Sequence, residues 1–583
     1  MAEAQRTSFQ IHSFNTSLST PRGGAKEKLT CGKLSGAGSS FIMTPRVEPH
    51  VEDELPLTPK SRFHWRFFLA MTPWLIFLGF AMYRHPERAW PLAALTVLYV
   101  AQTEGALPAL LASLQKQLAC AYTEQSQYLI STIVTSLAGG AVCIMLAYEI
   151  CKDYTKLQPM LGMVILVACC AGMSTSRQQI SWTLILRGFI VQFLLAAFIM
   201  RTQTGYSLFE AMGDGMARFL ENSDQGAAFV FGASPFVLTA LDMDNSSIPF
   251  PPFKVHFFAF KVLPTTIFFS AFVSSMYFLG VLQAIVSFLS RVLRVVLGTS
   301  PLESVSSVGN IFLGMTEAPL LVKTFLPAAT KSELHAVMTS GFATIAGSVM
   351  AVYISMGISP LQLLAASVMS APTALLVSKL ICPETEGSSS SRFAHAYPGS
   401  SPTDLQMPDP VEKNIIEAAG NGASAAIGLV ANIAAMLIAF LSMISVLNGV
   451  LSYLGDLVDL PGLSFERICS YLFAPLAWLV GTPQAEVFLV GELLGTKIFV
   501  NEFVAYDKLA SLKSAGEISG RGELAAAFSL CGFANLGSMG ISLGGLTTLA
   551  PDRKQVFAQL VFSAMLSGCV TSFLNACMAS ILQ

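Results

Sequence analysis

Two glutamates of this chain lie within apolar segments long enough to enter a bilayer. Glu317 lies in the segment 303–325, and Glu502 lies in the segment 468–505. A carboxylate at the centre of a membrane costs about 3 kcal/mol even on a lenient insertion scale, so a chain keeps one only for a partner or a task. The candidate ion-pair partners are Lys323 and Lys497. Without those pairs, both carboxylates are available to bind a solute.

Polar side chains near Glu502 suit the hydroxyl groups of a sugar or another polyol. Asn535 and Ser538 are three residues apart, so they lie on one face of a helix. With Glu502 they supply a charged acceptor, an amide that donates and accepts, and a hydroxyl. Phe533 can pack against a planar ring. These residues predict a site for a small polar solute that carries a ring.

Neutral oxygen atoms near Glu317 suit a monovalent cation. Asn310 and Thr344 carry side-chain oxygens, and unwound backbone near them would add carbonyl oxygens. Such ligands suit Na⁺ better than a dehydrated divalent ion. The residues alone therefore predict a transporter that couples a cation to a small polar solute.

The composition places these residues in a polytopic membrane protein. The chain has 583 residues, of which 53% are hydrophobic and 12% charged, whereas about 25% of an average soluble chain is charged. A net charge of −2 argues against a nucleic-acid partner. The 11 cysteines contain no Cys-x-x-Cys pair and the 7 histidines form no cluster, so no metal centre is predicted. These features exclude a disordered protein and an ordinary cytosolic enzyme.

Apolar runs predict about eleven membrane spans. The spans lie near 66–84, 90–113, 127–150, 158–174, 181–201, 255–290, 334–358, 361–382, 425–454, 523–547 and 556–582. The amphipathic stretch 206–221 predicts a helix on the membrane surface. Basic residues before the first run favour a cytosolic N-terminus, and an odd number of spans then places the C-terminus outside.

The chain divides into six predicted regions. They are a disordered cytosolic tail (1–65), N-terminal transmembrane helices (66–174), a further span with an interfacial helix and an outer loop (181–254), a first repeat (255–383), a polar cytosolic linker with an interfacial segment (384–424), and a second repeat (425–583).

The two repeats are recognised by the motif Gly-Phe-Ala, at 341–343 and 532–534. Each motif follows an interrupted apolar segment that contains a glutamate, and one final span follows each motif. Matched breaks of this kind are typical of transporters built from inverted repeats, because non-helical backbone at membrane depth survives only where it lines a cavity. Patches of Gly and Ser that only allow close helix packing are the alternative. The matched placement of two such patches favours a transporter.

At these residues the sequence resembles the concentrative nucleoside transporters, solute carrier family 28. The family signature Gly-x-Lys-x-x-x-Asn-Glu-Phe-Val-Ala-aromatic is complete at 495–506. Further matches are Gly309-Asn310-Ile311-Phe312, Thr316-Glu317-Ala318-Pro319 and Cys531-Gly532-Phe533-Ala534-Asn535. The resemblance covers about 60–583, and three spans before the shared core look like the animal-type, eleven-span version.

The resemblance implies an all-α polytopic membrane protein with about eleven transmembrane helices, inverted repeats and elevator-type transport. Two re-entrant helical hairpins would lie at 303–325 and 468–505. The resemblance further implies a homotrimer in the plasma membrane that imports nucleosides together with sodium. Such a protein is not an enzyme, and Na⁺ is its coupling ion rather than a cofactor.

The resemblance also implies a nucleoside site and a sodium site. The nucleoside site would comprise Gly314, Met315, Thr316, Glu317, Val349, Glu502, Phe533, Asn535 and Ser538. In it, the side chains of Thr316 and Glu317 would face the nucleobase. The hydroxyl groups of the ribose would bind Glu502, Asn535 and Ser538. The sodium site would comprise Asn310 and backbone oxygens of Leu313, Thr344 and Ile345.

The predicted substrate preference follows from one departure from the family pattern. Many family members have glutamine where this chain has Met315, and methionine cannot hydrogen-bond a base edge. Gly314, Met315 and Thr344 together look like the purine-preferring branch. The predicted substrates are adenosine, inosine and guanosine, with uridine tolerated.

Other functions remain as alternatives. A proton-coupled or broad-specificity nucleoside transporter is the nearest of them. A membrane-embedded enzyme would need a nucleophile–base pair or a metal, and neither is visible in the sequence. A nucleoside-sensing receptor would need a signalling domain, and the polar tail 1–65 is too poor in apolar residues to fold as one.

Overall fold

The computed structural model describes residues 124–231, 258–386 and 412–583, with short pieces at 77–79, 82, 84, 96, 237–238 and 253–254. The predicted tail 1–65 and most of three other predicted regions, 66–84, 90–113 and 384–424, therefore lie outside the described residues. The helices below belong to the compact unit Phe67–Gln583. The only strands in the described residues are a short antiparallel pair, β1 (Val237–Leu238) and β2 (Phe253–Lys254).

Five described helices precede the first repeat. They are α1 (Glu124–Lys152), α2 (Leu157–Met173), α3 (Trp182–Arg201), α4 (Gln203–Leu220) and α5 (Ser223–Phe231). Only Thr202 separates α3 from α4, and its backbone is extended (φ −92°, ψ 136°). The Thr202 side chain accepts a hydrogen bond from the Gly205 amide at 3.0 Å and so caps α4. The surface helix predicted at 206–221 is thus a separate helix.

The first repeat begins with two helices that meet at a sharp bend. α6 (Phe258–Phe278) and α7 (Val281–Leu297) are inclined by 77° to each other. Gly280 lies between them with φ +77°, a conformation that glycine adopts without steric cost. The span predicted at 255–290 therefore consists of two helices, because the apolar run continues through this bend.

A short hairpin follows. Its arms are α8 (Pro301–Gly309) and a 3₁₀ segment (Ala318–Ala328), and residues 310–317 form its tip. α8 starts with a capping box, in which Ser300 and Glu303 bind each other's backbone amides. The sequence predicts this hairpin at 303–325, and the structure has it at 301–328.

A broken helix and a final long helix complete the first repeat. α9 (Lys331–Ala343) and α10 (Gly347–Ser355) lie on either side of an extended break at 344–346, and α11 (Pro360–Ile381) follows. Thr344, the first residue of the break, has φ −121° and ψ 164°. The Gly-Phe-Ala motif therefore ends a helix rather than opening one, and the span predicted at 334–358 is interrupted.

The second repeat has the same order of elements. It comprises α12 (Ile415–Asp456), α13 (Phe465–Leu479), α14 (Val487–Phe499), α15 (Glu502–Ala515), α16 (Gly520–Leu530), α17 (Leu536–Leu549) and α18 (Lys554–Leu582). Its broken helix is α16 and α17, interrupted at 531–535. Its hairpin is formed by α14 and α15, with the tip at 500–501.

The predicted bounds of this second hairpin, 468–505, are wrong. The hairpin spans 487–515, and α13 is a separate helix before it. Gly481 adopts φ +99° and Pro483 follows it, so the chain cannot continue α13 as a helix. The sequence-based assignment joined α13 to the hairpin because both are apolar.

The two broken helices approach each other closely at their breaks. Gly532 has φ +114°, and a Cβ atom added there would lie 2.7 Å from the Phe342 carbonyl oxygen. Gly568, on α18, is equally tight, because a Cβ atom there would lie 2.5 Å from Phe342 Cβ. Only glycine permits this approach, so the glycines place both breaks in one region of the protein.

A buried ion pair joins the first hairpin to α11. Lys379 pairs with Glu303, and its ammonium also donates to Ser332 Oγ at 2.8 Å. Glu303 is buried, and its contacts with Lys379 and with the start of α8 are structural ones.

The described residues contain seven helices that are long and apolar enough to cross a membrane, or eight if α6 and α7 count as one span. α12 packs mainly along α6, where Ser270 Oγ donates to the Gly422 carbonyl at 2.9 Å. The predicted class, an α-helical polytopic membrane protein, is confirmed.

Candidate solute-binding site

One cavity lies between the two hairpin tips and the two helix breaks. Its volume is about 100 Å³. The first hairpin tip and α10 line it from the first repeat. The second hairpin tip, the break before α17, and α12 line it from the second.

The structure brings all nine residues of the predicted nucleoside site to this cavity. They are Gly314, Met315, Thr316, Glu317, Val349, Glu502, Phe533, Asn535 and Ser538. They come from four separate elements, and more than 180 positions separate the first from the last. The family resemblance implies that these residues form one site, and their positions around the cavity agree with that expectation.

Glu502 forms the polar end of the cavity with Asn535, the last residue of the break, and Ser538, in the first turn of α17. Asn535 Nδ2 donates to Glu502 Oε2 at 2.7 Å, and Asn535 Oδ1 accepts from the Ser538 amide at 2.7 Å. All three residues are buried. Asn535 is the N-cap of α17, so the helix cap fixes the amide that orients the carboxylate. A solute with neighbouring hydroxyl groups would meet a carboxylate oxygen and a serine hydroxyl held at set positions.

Glu317 lies across the cavity at the first hairpin tip. It is half-buried, and its Oε2 accepts from the Gly314 amide at 3.3 Å. The Gly347 amide, the first of α10, donates to the Phe312 carbonyl at 3.3 Å and joins the tip to the broken helix. Gly314 packs closely against the break, because a Cβ atom there would lie 3.3 Å from Ala346 Cβ. The tip therefore rests directly on the break.

Lys497 does not pair with either glutamate. It is fully buried and donates to the Ser529 carbonyl at 2.7 Å, the Cys531 carbonyl at 3.4 Å and Ser572 Oγ at 3.3 Å. Two of these acceptors are carbonyls at the C-terminal end of α16, where a cation is favoured. The lysine of the signature, Lys497, thus stabilises the helix break. Lys323, the other candidate ion-pair partner, is exposed.

Apolar residues that sequence reasoning missed complete the cavity. They are Ala346, Ile433, Met436, Phe503 and Ile541, and the polar residue missed is Asn501. Asn501 and Phe503 adjoin Glu502 in the signature, so the signature could have included them. Ile433 and Met436 lie within α12, which is apolar along nearly its whole length, and no local signal marks the face that lines the cavity.

The four residues predicted to bind sodium lie at the first tip and the first break. All four are buried, and Asn310 is the C-cap of α8. Asn310 Oδ1 has no hydrogen-bond partner among the described residues. Thr344 Oγ1 donates to the Ser340 carbonyl at 2.8 Å. The lone pairs of Thr344 Oγ1 therefore stay free to coordinate a cation. Leu313 and Ile345 belong to the same non-helical segments. These neutral oxygens fit Na⁺.

Three family models match separate parts of the chain. "Na+ dependent nucleoside transporter N-terminus" matches residues 161–234, "Nucleoside recognition" matches 259–360, and "Na+ dependent nucleoside transporter C-terminus" matches 362–580. Together they cover the helices that build the cavity.

Individual proteins agree with this assignment. Solute carrier family 28 member 3 of Mus musculus is 44% identical over 418 residues, 70% of this chain and 56% of that protein. Sodium/nucleoside cotransporter 2 of Rattus norvegicus is 43% identical over 432 residues, 72% of this chain and 61% of that protein. The chain thus spans less than two thirds of the length of these relatives.

A solved structure, "Structure of CNTnw in an inward-facing substrate-bound state", is 33% identical with a TM-score of 0.65 and covers 73% of this chain and 98% of that chain. Another, of a CNTnw variant in an outward-facing state, has a TM-score of 0.65 at 32% identity, over 73% of this chain and 97% of that one. Nearly the whole of each solved chain is therefore matched. The chain belongs to the concentrative nucleoside transporters, solute carrier family 28.

Proposed function

We propose that this protein is a sodium-coupled symporter that imports nucleosides, with a preference for purine nucleosides. The observation that carries the proposal is the convergence of the nine predicted residues on one cavity between hairpin tips and helix breaks. The relatives support it by name, since two of them are sodium/nucleoside cotransporters. The substrates are adenosine, inosine and guanosine, and uridine is tolerated.

The nucleoside lies across the cavity, between residues of both repeats. The ribose hydroxyls bind the polar end formed by Glu502, Asn535 and Ser538, and the base lies toward Thr316 and Glu317. Phe533, Val349 and Met315 supply apolar surface around the base. A charged acceptor at the sugar end discriminates strongly, because a ligand that lacks the hydroxyl forms one hydrogen bond fewer with the buried carboxylate.

Sodium binds first and prepares the nucleoside site. The proposed sodium ligands Asn310 and Leu313 belong to the tip that carries Glu317, and Thr344 belongs to the break on which the tip rests. An ion between the tip and the break orders both, so it raises the affinity for the nucleoside, and the nucleoside raises the affinity for sodium to the same extent.

Transport follows an elevator-type movement of the hairpins and broken helices against α6 and α12. These two helices pack on each other and form the fixed part. The solved CNTnw structures are described as inward-facing, intermediate and outward-facing states, which supports alternating access in this family. The protein acts as a homotrimer in the plasma membrane, with a cytosolic N-terminus and an extracellular C-terminus.

One sodium ion per nucleoside is sufficient for concentrative uptake. A tenfold sodium gradient contributes about 1.4 kcal/mol, and one charge moving through about 60 mV contributes a similar amount. Together they support a nucleoside ratio of roughly a hundredfold across the membrane.

The test is uptake of labelled inosine into vesicles that contain the purified protein. We expect inosine to accumulate above the outside concentration with an inward sodium gradient, and uptake to cease when choline replaces sodium. Equal uptake in choline at neutral pH would refute sodium coupling. A proton-coupled transporter, the second candidate, would accumulate inosine with an inward proton gradient alone, and half-buried Glu317 is the carboxyl in the cavity that would take up the proton.

Competition by other nucleosides tests the purine preference in the same vesicles. Adenosine and guanosine should compete with labelled inosine at similar concentrations, and thymidine or cytidine should compete weakly. Thymidine uptake equal to that of inosine would favour the broad-specificity alternative over a purine preference.

A further inference from the structure

Two buried hydroxyl groups near the proposed sodium ligands have no hydrogen-bond partner in the described part of the protein. They belong to Ser306, on α8, and Ser340, on α9. Ser306 is 0% exposed and Ser340 is 1% exposed. A buried polar group without a partner destabilises a fold, so each one in a native protein requires an explanation, such as an ion or a water.

Several other buried hydroxyls of this protein bond to their own helix. Those of Ser370, Thr373, Ser567 and Thr571 donate to the carbonyl four residues earlier in the same helix. Ser306 and Ser340 lie in helices and could make the same bond. They do not, so both hydroxyls are left for a different partner.

Asn310 adjoins α8 and α9, the two helices that carry these serines. It lies one turn after Ser306, and its Nδ2 donates to the Ser306 carbonyl at 2.8 Å. Its Oδ1 is buried without a partner and lies on the side of α9, because a Cβ atom added to Gly341 would be 3.7 Å from it. Gly341 directly follows Ser340, and α8 packs against α9. Three unpartnered oxygens thus occur where these two helices meet.

The local electrostatics favour a cation at this position. Asn310 is the C-cap of α8 and Thr344 is the C-cap of α9, so two helix C-termini end here. A helix C-terminus carries a partial negative charge, which stabilises a cation close to it. All the side-chain oxygens are neutral, and neutral oxygens suit a monovalent ion rather than a divalent one.

We propose that Ser306 Oγ and Ser340 Oγ, together with Asn310 Oδ1, form a binding position for Na⁺. The inference rests on the proposed sodium coupling and extends the predicted ligand set of Asn310, Leu313, Thr344 and Ile345 by two hydroxyls. The cation satisfies the three oxygens that the protein leaves unpaired. The two serines thereby contribute to the affinity for sodium and leave the nucleoside contacts unchanged.

The experiment measures sodium binding directly, through thermal unfolding of the purified full-length protein in detergent. Unfolding is followed in mixtures of NaCl and choline chloride at constant ionic strength, and the rise in melting temperature with NaCl yields an apparent Kd for sodium. We expect Ser306→Ala and Ser340→Ala each to raise this Kd about tenfold. In choline alone, both variants should melt at the wild-type temperature or above it, because alanine removes a buried, unpartnered hydroxyl.

Ser567→Ala is the matched control, because its hydroxyl is buried on α18 and bonds to its own helix at 2.8 Å. It should leave the sodium Kd unchanged. Inosine uptake at saturating sodium gives a second readout, in which KM should stay within about twofold for both serine variants. If either alanine variant fails to fold, the cysteine variant at the same position preserves the size and removes the oxygen, and the same rise in Kd is expected.

An unchanged sodium Kd in both serine variants, with a wild-type protein that responds to sodium, would overturn this inference and indicate that the serines hold a structural water. A wild-type protein that melts at the same temperature in NaCl and choline would instead refute sodium binding, and with it the proposed coupling. The two failures are therefore distinguishable.

Discussion

At the scale of single residues, Met315 is the residue that we expect to determine the proposed preference for purine bases. Its side chain is 8% exposed, and Gly341 lies so close to it that a Cβ atom there would be 3.0 Å from Met315 Cβ. A thioether offers polarizable apolar surface and no strong hydrogen bond. In the proposed orientation of the nucleoside, Met315 would therefore offer the base apolar surface rather than a hydrogen bond.

Met315→Gln should add a hydrogen bond to a pyrimidine edge and so widen the specificity. One neutral hydrogen bond contributes about 0.5–1.5 kcal/mol. We therefore expect cytidine uptake relative to inosine uptake to rise about three- to tenfold, measured in vesicles with a sodium gradient. Met356→Gln, outside the cavity at the end of α10, should leave the ratio unchanged. A ratio that stays at the wild-type value in Met315→Gln would contradict the proposed orientation of the base.

Glu502→Gln should weaken binding of the sugar while it preserves the shape of the cavity. A hydrogen bond to a charged group contributes about 1.5–3 kcal/mol, so KM for inosine should rise about ten- to a hundredfold. The same variant should affect uptake of a 3′-deoxy analogue much less, because that analogue lacks a hydroxyl group for the carboxylate. Glu517→Gln, an exposed acid just beyond α15, is the control and should leave both KM values unchanged.

Equal losses for inosine and its 3′-deoxy analogue would contradict this assignment. They would show that Glu502 acts on the fold or on the ion rather than on the ribose.

At the scale of elements, the breaks in the two broken helices depend on glycines that nothing else can replace. Gly532 combines φ +114° with a backbone oxygen where its Cβ atom would lie. Gly540, on α17, has open space around it. The two glycines are eight positions apart, so they form a matched pair for a test of the break.

Gly532→Ala should destabilise the protein by about 1–3 kcal/mol, the usual cost of a backbone held in an unfavourable region. Gly540→Ala should instead stabilise it by up to about 1 kcal/mol, because alanine is favoured over glycine inside a helix. The measurement is the melting temperature of each purified variant in detergent. Shifts of the same sign in both variants would disprove the special role of Gly532.

The elements also show what the sequence could and could not predict. Periodicity and length identified the spans near 158–174, 181–201 and 361–382, since each is one uninterrupted helix. The bend between α6 and α7 was missed, and so was the separation of α13 from the second hairpin. In each case a glycine with a positive φ, Gly280 or Gly481, changes the direction of the chain inside an apolar run. In a membrane protein, the hydrophobicity of a segment indicates that the segment lies within the membrane. It says little about where the chain bends or turns.

The candidate site was easier to predict than these bounds. Its polar residues lie in motifs such as 495–506, where a charge or an amide is conspicuous among apolar neighbours. Ile433 and Met436 were missed for the opposite reason. They resemble every other residue of α12, and only the packing of α12 beside the hairpins reveals that they line the cavity.

At the scale of the whole molecule, α12 presents a long apolar surface that the described residues leave uncovered. Ile438 is 70% exposed, Met443 is 65% exposed and Val446 is 69% exposed, and α12 also packs on α6. A helix assigned to the fixed part of the transporter is suited to contact neighbouring subunits. We therefore expect this surface to form the interface of the proposed homotrimer.

Ile438→Trp should disrupt the trimer, because a larger side chain does not fit a packed interface but is tolerated by lipid. Val164→Trp, on α2 and 65% exposed, should leave it intact. Native mass spectrometry in detergent should show three copies of the 62.3 kDa chain for the wild type and Val164→Trp, and mainly smaller species for Ile438→Trp. An unchanged trimer in Ile438→Trp would remove α12 from the interface.

The origin of the cavity in two repeats has a consequence for how specificity can change. Residues 314–317 and Val349 come from one half of the chain, and Glu502, Phe533, Asn535 and Ser538 come from the other. If the polar groups that face the base come from one half and those that bind the ribose come from the other, new base preferences can arise by changes confined to one stretch of the gene, while the requirement for ribose is retained. A chimaera that exchanges residues 301–355 with a pyrimidine-selective relative would transplant one recognition module and preserve the other.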